Sequence, residues 1–307
     1  MKLFSIEKNK VKSISTHPFE LEKDIQLLVE QNLDELFHLQ FVKSEFSIKN
    51  FRIDTLAFNK ETKTFVIIEY KKERNFSVID QGYTYMSIMF NNKSDFILEY
   101  NESCAASLKR EDVDWSQARV IFVSPYFTDF QKHSINFKDV PFELWEIKRY
   151  ENNLLGLVQH KNDSKESIVG ISGNPENIVS KVSTEVKVWT EEFHLNASKS
   201  RPEWVNELYF NLKERLMKLN EVELKATGKY ISFRYNSSPF VDFVFYNNGL
   251  YTIINLKDGN LKDPNNIMST FNGKGHWGNG DYYTTVNKKT DLDYLMSLIN
   301  QSYQSKG

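Results

Sequence analysis

Asp54, Glu69 and Lys71 stand in two runs that otherwise have the composition of buried β-strands, residues 51–58 (FRIDTLAF) and 65–71 (FVIIEYK). Side chains alternate faces along a strand, so Glu69 and Lys71 point the same way. The intervening stretch 59–64 (NKETKT) is polar and turn-like, which makes the pair an antiparallel hairpin. Centred between Glu61 and Thr62, its register pairs residues whose numbers sum to 123 and sets Asp54 across from Glu69. Like charges opposed in a ladder repel, and a buried unpaired charge is costly. A divalent cation between the carboxylates removes that repulsion, so the hairpin is a candidate metal site with an amine beside it. The competing reading is a structural ion-pair cluster at the strand ends, in which Lys71 and Arg52 neutralise Asp54 and Glu69.

Several elements must position these groups. Residues 18–37 carry apolar side chains at helical spacing, and Glu22 at the start of that helix is its acidic residue best placed to point inward. Residues 42–48 suggest a further strand. After the hairpin, 76–91 (FSVIDQGYTYMSIMFN) has a stripe of Ile79, Tyr83, Met86 and Phe90, with Ser77 as N-cap. This helix carries Gln81 and Tyr85 four residues apart, on one face. Strand-like runs recur at 95–100 (DFILEY) and 119–124 (RVIFVS), a helix-like stretch near 128–136, and a hairpin at 142–150 and 154–159 around Asn152-Asn153. The order describes an α/β core with a mixed sheet.

Composition turns polar over 161–200, which places a linker between an N-terminal domain, 1–160, and a C-terminal one, 201–307. The latter reads as α+β: a helix over 202–219, strands over 230–235, 240–246 and 250–256, a strand near 282–286 and a last helix over 291–303. The strands around Asn247-Asn248-Gly249 form a hairpin. Its most unusual loop, 273–281 (GKGHWGNGD), holds His276 and Trp277. The single cysteine, Cys104, excludes an internal disulfide and a cysteine-based zinc site. No apolar leader and no long apolar run is present, so the expectation is a cytoplasmic protein that does not engage a membrane. Charge is nearly balanced, 39 Lys and Arg against 41 Asp and Glu. Any nucleic acid must therefore be held by a local patch or through a metal.

Glu22 on an opening helix, Asp54, Glu69-x-Lys71 and Gln81-x-x-x-Tyr85 together resemble the PD-(D/E)xK nuclease superfamily, most nearly the NucS type of endonuclease domain. The resemblance spans roughly residues 18–100. Ile53 stands where the superfamily carries its proline. Residues 229–235 and 275–282 are similar to an uncharacterised domain often labelled a predicted transport protein. The resemblance implies a restriction-endonuclease-like mixed-sheet core, a smaller α+β domain, and metal-dependent hydrolysis of phosphodiester bonds, DNA foremost. It also implies Asp54 and Glu69 as ligands of Mg²⁺ or Mn²⁺, with Lys71, Glu22, Gln81 and Tyr85 as catalytic residues.

Such chemistry is consistent with charge. A metal acidifies a bound water and neutralises the developing oxyanion, and Lys71 can orient or deprotonate that water and contact the phosphate. Lys72 and Arg74, just beyond the strand, and Trp277, which could stack on a base, are candidate nucleic-acid contacts. The pair Lys148-Arg149 is a further basic candidate, and His17 reads as a loop residue. A homodimer is the assembly allowed for. The alternative is a degenerate nuclease fold that serves as a nucleic-acid-binding or scaffold module.

Overall fold

The computed structural model describes residues 2–72, 77–137, 139–160, 164, 166–168, 177–271 and 279–307. Two compact units emerge, Met1–Val188 and Trp189–Gly307. In chain order the first comprises β1 (Leu3–Glu7), β2 (Lys10–Ile14), β3 (Thr16–His17), α1 (Glu22–Gln31), α2 (Leu33–Phe37), β4 (Gln40–Ile48), β5 (Phe51–Asn59), β6 (Thr64–Tyr70), α3 (Val78–Asn91), α4 (Lys93–Cys104), β7 (Arg119–Ser124), α5 (Asp129–Ser134), β8 (Phe142–Tyr150), β9 (Leu154–His160) and α6 (Ile178–Glu185).

Its sheet runs β3-β8-β7-β6-β5-β4, with β9 also on β8. The strands β4, β5 and β6 are antiparallel neighbours, whereas β7 lies parallel to both β6 and β8. Burial alternates between faces with period two. Leu56, Phe58, Phe65, Ile67 and Phe122 meet α3 and α4, while Ala57, Val66, Ile68, Ile121 and Val123 meet α1 and α2. Covered on both sides, β6 is buried at every one of its positions, which is why it reads as a continuous apolar run. Its last polar residue is therefore presented at the end of a central, rigid strand.

The hairpin has the expected register: partners sum to 123 from Asn59–Thr64 through Thr55–Ile68. Ser77 caps α3, its Oγ accepting from the Asp80 amide at 3.2 Å. Three expectations change. The helix expected over 18–37 is two helices interrupted at Asn32, whose side-chain amide donates to the Leu28 carbonyl at 2.8 Å. The run 95–100 is helical, within α4, because Phe96 and Tyr100, one turn apart, are its buried pair. The hairpin β1–β2, with left-handed Lys8 and Asn9 at its turn, had no counterpart in the sequence reading.

The second unit contains α7 (Glu191–Asn196), α8 (Glu203–Leu216), β10 (Val222–Ala226), β11 (Ile231–Tyr235), β12 (Ser238–Tyr246), β13 (Gly249–Ile254), β14 (Ser269–Thr270), β15 (Tyr282–Val286) and α9 (Leu292–Gln304). Its antiparallel sheet is ordered β10-β11-β12-β13-β15-β14, and residues of α8 and α9 share its core. Strands β10 and β14 are additions to the expected set. The range read as linker, 161–200, carries α6 and α7 among its described residues, and the division between the units falls inside it. Val182 of α6 joins the core of the first unit. A mixed α/β core followed by a smaller α+β unit is thus the fold class. No helix of the described residues is long and apolar enough to cross a membrane.

Candidate active site at the β5–β6 hairpin

Beyond the Thr55–Ile68 rung the main-chain pairing gives way to side chains. The Tyr70 amide donates to Asp54 Oδ2 at 3.1 Å. Glu69 is 3% exposed, and its Oε1 accepts from Lys71 Nζ at 2.6 Å and from Gln81 Nε2 at 2.8 Å. Gln81 also donates to the Tyr85 hydroxyl at 3.3 Å, so the i, i+4 pair on α3 delivers one amide to the carboxylate. Glu22 opens α1 and reaches across the sheet end. Its Oε2 accepts the Lys72 amide at 2.9 Å, and its Oε1 lies 3.9 Å from Lys71 Nζ. Asp54, Glu69, Lys71, Glu22, Gln81 and Tyr85 therefore gather at one place. The Arg52 guanidinium pairs instead with Glu45, at 2.8 Å, while its carbonyl accepts from the Tyr85 hydroxyl at 3.5 Å.

Lys72 sits beside the group, its ammonium donating to the Glu20 carbonyl. Arg74, His276 and Trp277 lie outside the described residues. The sequence reading missed Gln26, which is 4% exposed and whose Nε2 donates to the Asp54 carbonyl and to Glu30 Oε1, both at 2.9 Å, with Ser44 Oγ 3.2 Å away. Behind it, Thr55 Oγ1 donates to Glu30 at 2.6 Å and meets the Tyr70 hydroxyl at 3.1 Å. The available signal was position: Gln26 follows Glu22 by one helical turn.

Burial and the charge of Asp54 push the Glu69 carboxyl up to about 7, against the pull of Lys71. Asp54 is raised as well, by burial first, with the Tyr70 amide and Lys71 opposing. Burial alone would lower Lys71, but Glu69, Asp54 and Glu22 hold its ammonium above the ordinary value. Lys71 is therefore a fixed cation at neutral pH, while Glu69 is poised to lose a proton. Tyr85 is raised by burial and by Glu69, and stays a neutral donor.

The residues present fit a hard divalent cation. Glu69 Oε2 is buried with no hydrogen-bond partner, and the donors are carboxylate oxygens. Among the described residues no group of three or more His, Cys, Asp and Glu is arranged to hold a metal. Two carboxylates are what Mg²⁺ commonly takes from a protein, water and phosphate oxygens filling the rest.

Comparison with solved structures gives partial likenesses. An EndoMS–double-stranded DNA complex is 16% identical over 44% of this chain and 51% of that one, with a TM-score of 0.29. A repair endonuclease from Pyrococcus abyssi is 17% identical over 42% and 48%, with a TM-score of 0.24. The chain thus spans about half the length of these structures. Residues 196–306 match the model of a domain of unknown function, DUF5655. An uncharacterised protein of Haemophilus influenzae is 44% identical over 304 residues, 98% of this chain and 99% of its own. At that identity over nearly the full length of both chains, the protein belongs to one family with the Haemophilus influenzae protein.

Proposed function

We propose that the first unit is a metal-dependent nuclease that hydrolyses phosphodiester bonds, with DNA as its substrate. The observation that carries this reading is the buried Glu69 carboxylate, with one oxygen unpartnered, raised by the charge of Asp54 and flanked by Lys71 and Gln81. The resemblance of the Asp54, Glu69-x-Lys71 and Gln81-x-x-x-Tyr85 pattern to PD-(D/E)xK nucleases supplies the reaction class. Asp54 and Glu69 would hold Mg²⁺ or Mn²⁺, which when bound supplies an acidified water and charge neutralisation at the phosphate. Lys71, held as a cation, stabilises negative charge developing on the phosphate oxygens. Gln81 holds Glu69 in place by its amide, with Tyr85 behind it, and Glu22 fixes the chain after Lys71 by accepting the Lys72 amide.

The test is incubation with single-stranded, duplex and branched DNA and with RNA, in Mg²⁺, Mn²⁺ or EDTA. Metal-dependent cleavage is expected, and Asp54→Asn, Glu69→Gln and Lys71→Met should each abolish it while the protein stays folded. Cleavage that survives in Lys71→Met removes the assignment. A second reading has one observation in its favour: the 2.6 Å ion pair satisfies Glu69 Oε1 without a metal. If nothing is cut and DNA is retained, the first unit is a binding module.

A further inference from the structure

Lys72, the residue after Lys71, lines a cleft of about 260 Å³ together with Lys148, Arg149 and His17, with Phe19 and Ile147 among its apolar members. No carboxylate lines it among the described residues. Among the described residues Lys72 and Arg149 make no ion pair, and their polar partners are the main-chain carbonyls of Glu20 and Pro18. Lys148 does meet Glu146, at 3.0 Å, but that carboxylate is shared with Lys132 and His160. Arg149 is held in place: its guanidinium stacks 4.3 Å over the Phe19 ring, and its buried Nε has no hydrogen-bond partner. A fixed guanidinium and two lysines beside an apolar wall suit a phosphate with its sugar and base.

A second cleft of about 430 Å³ shares His17 and Arg149 and is lined further by Leu28, Tyr150 and Leu154, with one carboxylate, Glu151, at its wall. Arg149 therefore borders both clefts, which suits a continuous strand rather than a lone nucleotide. Lys72 ties this path to the reaction centre, because its amide is the group that Glu22 holds.

We propose that these joined clefts bind a single strand of nucleic acid, with Lys72, Lys148 and Arg149 on its phosphates, next to the bond that is cut. The assignment rests on the nuclease reading for its purpose but is tested without cleavage. Binding of a fluorescein-labelled oligodeoxythymidine to the full chain is followed by anisotropy in EDTA, over a range of salt. Lys72→Gln and Arg149→Gln should each weaken binding roughly tenfold or more, as expected for a lost charge-assisted hydrogen bond. Each should also lower the salt slope by about 0.7, one phosphate contact on a single strand. Lys218→Gln, on the exposed face of the second unit, should change neither. Lys72 is exposed, so its variant tests the idea even if Arg149→Gln unfolds.

Variants that bind like the wild type overturn the assignment, as does competition by thymidine monophosphate equal to that by the oligonucleotide, or a preference for duplex. Normal binding by the variants together with intact cleavage sinks the clefts and spares the nuclease. Binding lost in the variants, with no cleavage by the wild type in any metal, does the reverse.

Discussion

Replacing Glu69 with Gln should reshape the dependence of stability on pH. In the folded protein the Glu69 carboxyl keeps its proton up to about 7, against an ordinary 4.5. Between those values the folded chain binds more protons than the unfolded one, so unfolding free energy falls as pH rises through that window and is level on either side. The interval of about two and a half pH units, at about 1.4 kcal/mol each, amounts to about 3 kcal/mol. Glu69→Gln has no such term. It also leaves Lys71 without its closest partner, but Lys71 is charged throughout this range, so that cost is the same at every pH used. Urea unfolding of both proteins at pH 4.5 and pH 8 isolates the effect. The variant should gain about 3 kcal/mol on the wild type between the two. Two curves that stay parallel would show that Glu69 titrates normally, and the poised carboxylate would be gone from the reasoning. Mn²⁺ should restore the lost stability of the wild type at pH 8 and leave the variant unmoved.

Lys71→Met should lower turnover on a cleavable DNA by about 10²–10³-fold, the span for loss of one electrostatic donor to the developing charge, measured under single-turnover conditions. Gly82→Ala places a Cβ 2.6–2.9 Å from three ring atoms of the buried Phe142. Overpacking of about 1–3 kcal/mol outweighs the roughly 1 kcal/mol that Ala gains in a helix, so the urea midpoint should fall. Gly280→Ala is more severe, since its Cβ would lie 1.9 Å from the Ile254 carbonyl oxygen and 2.5 Å from Asn255 Cα, both backbone; loss of native circular dichroism from the second unit is the readout. Tyr70→Phe removes the hydroxyl that meets Thr55 and should cost about 0.5–1.5 kcal/mol, measured by urea unfolding.

The geometry at the hairpin was legible because two local signals agreed, a polar turn of fixed length and a side-chain period of two. Together they set the register of the hairpin up to the Thr55–Ile68 rung from the chain alone. Glu22 could be nominated as the inward acid of its helix, but its contact with the Lys72 amide joins residues fifty apart and has no local signature. The stretch DFILEY shows the opposite limit. Its residues favour strands by propensity, yet Phe96 and Tyr100 are buried one turn apart and packing decides for a helix. Gln26 escaped notice because a buried glutamine looks like any surface residue until its partners are known. Lys72, Lys148 and Arg149 could each be named as basic candidates, but their meeting in one cleft joins residues more than seventy apart and has no local signature.

The bond from the Tyr70 amide to Asp54 Oδ2 bears on how this centre is to be dissected. There a carboxylate does the work that a neighbouring strand's carbonyl does elsewhere, completing the backbone's own saturation at the sheet margin. Alanine at 54 would strip the negative charge and strand a main-chain donor in one stroke, confounding electrical with architectural damage. Asparagine keeps an oxygen for that donor and discards only the charge, so the isostere, not the truncation, reveals what the acid contributes.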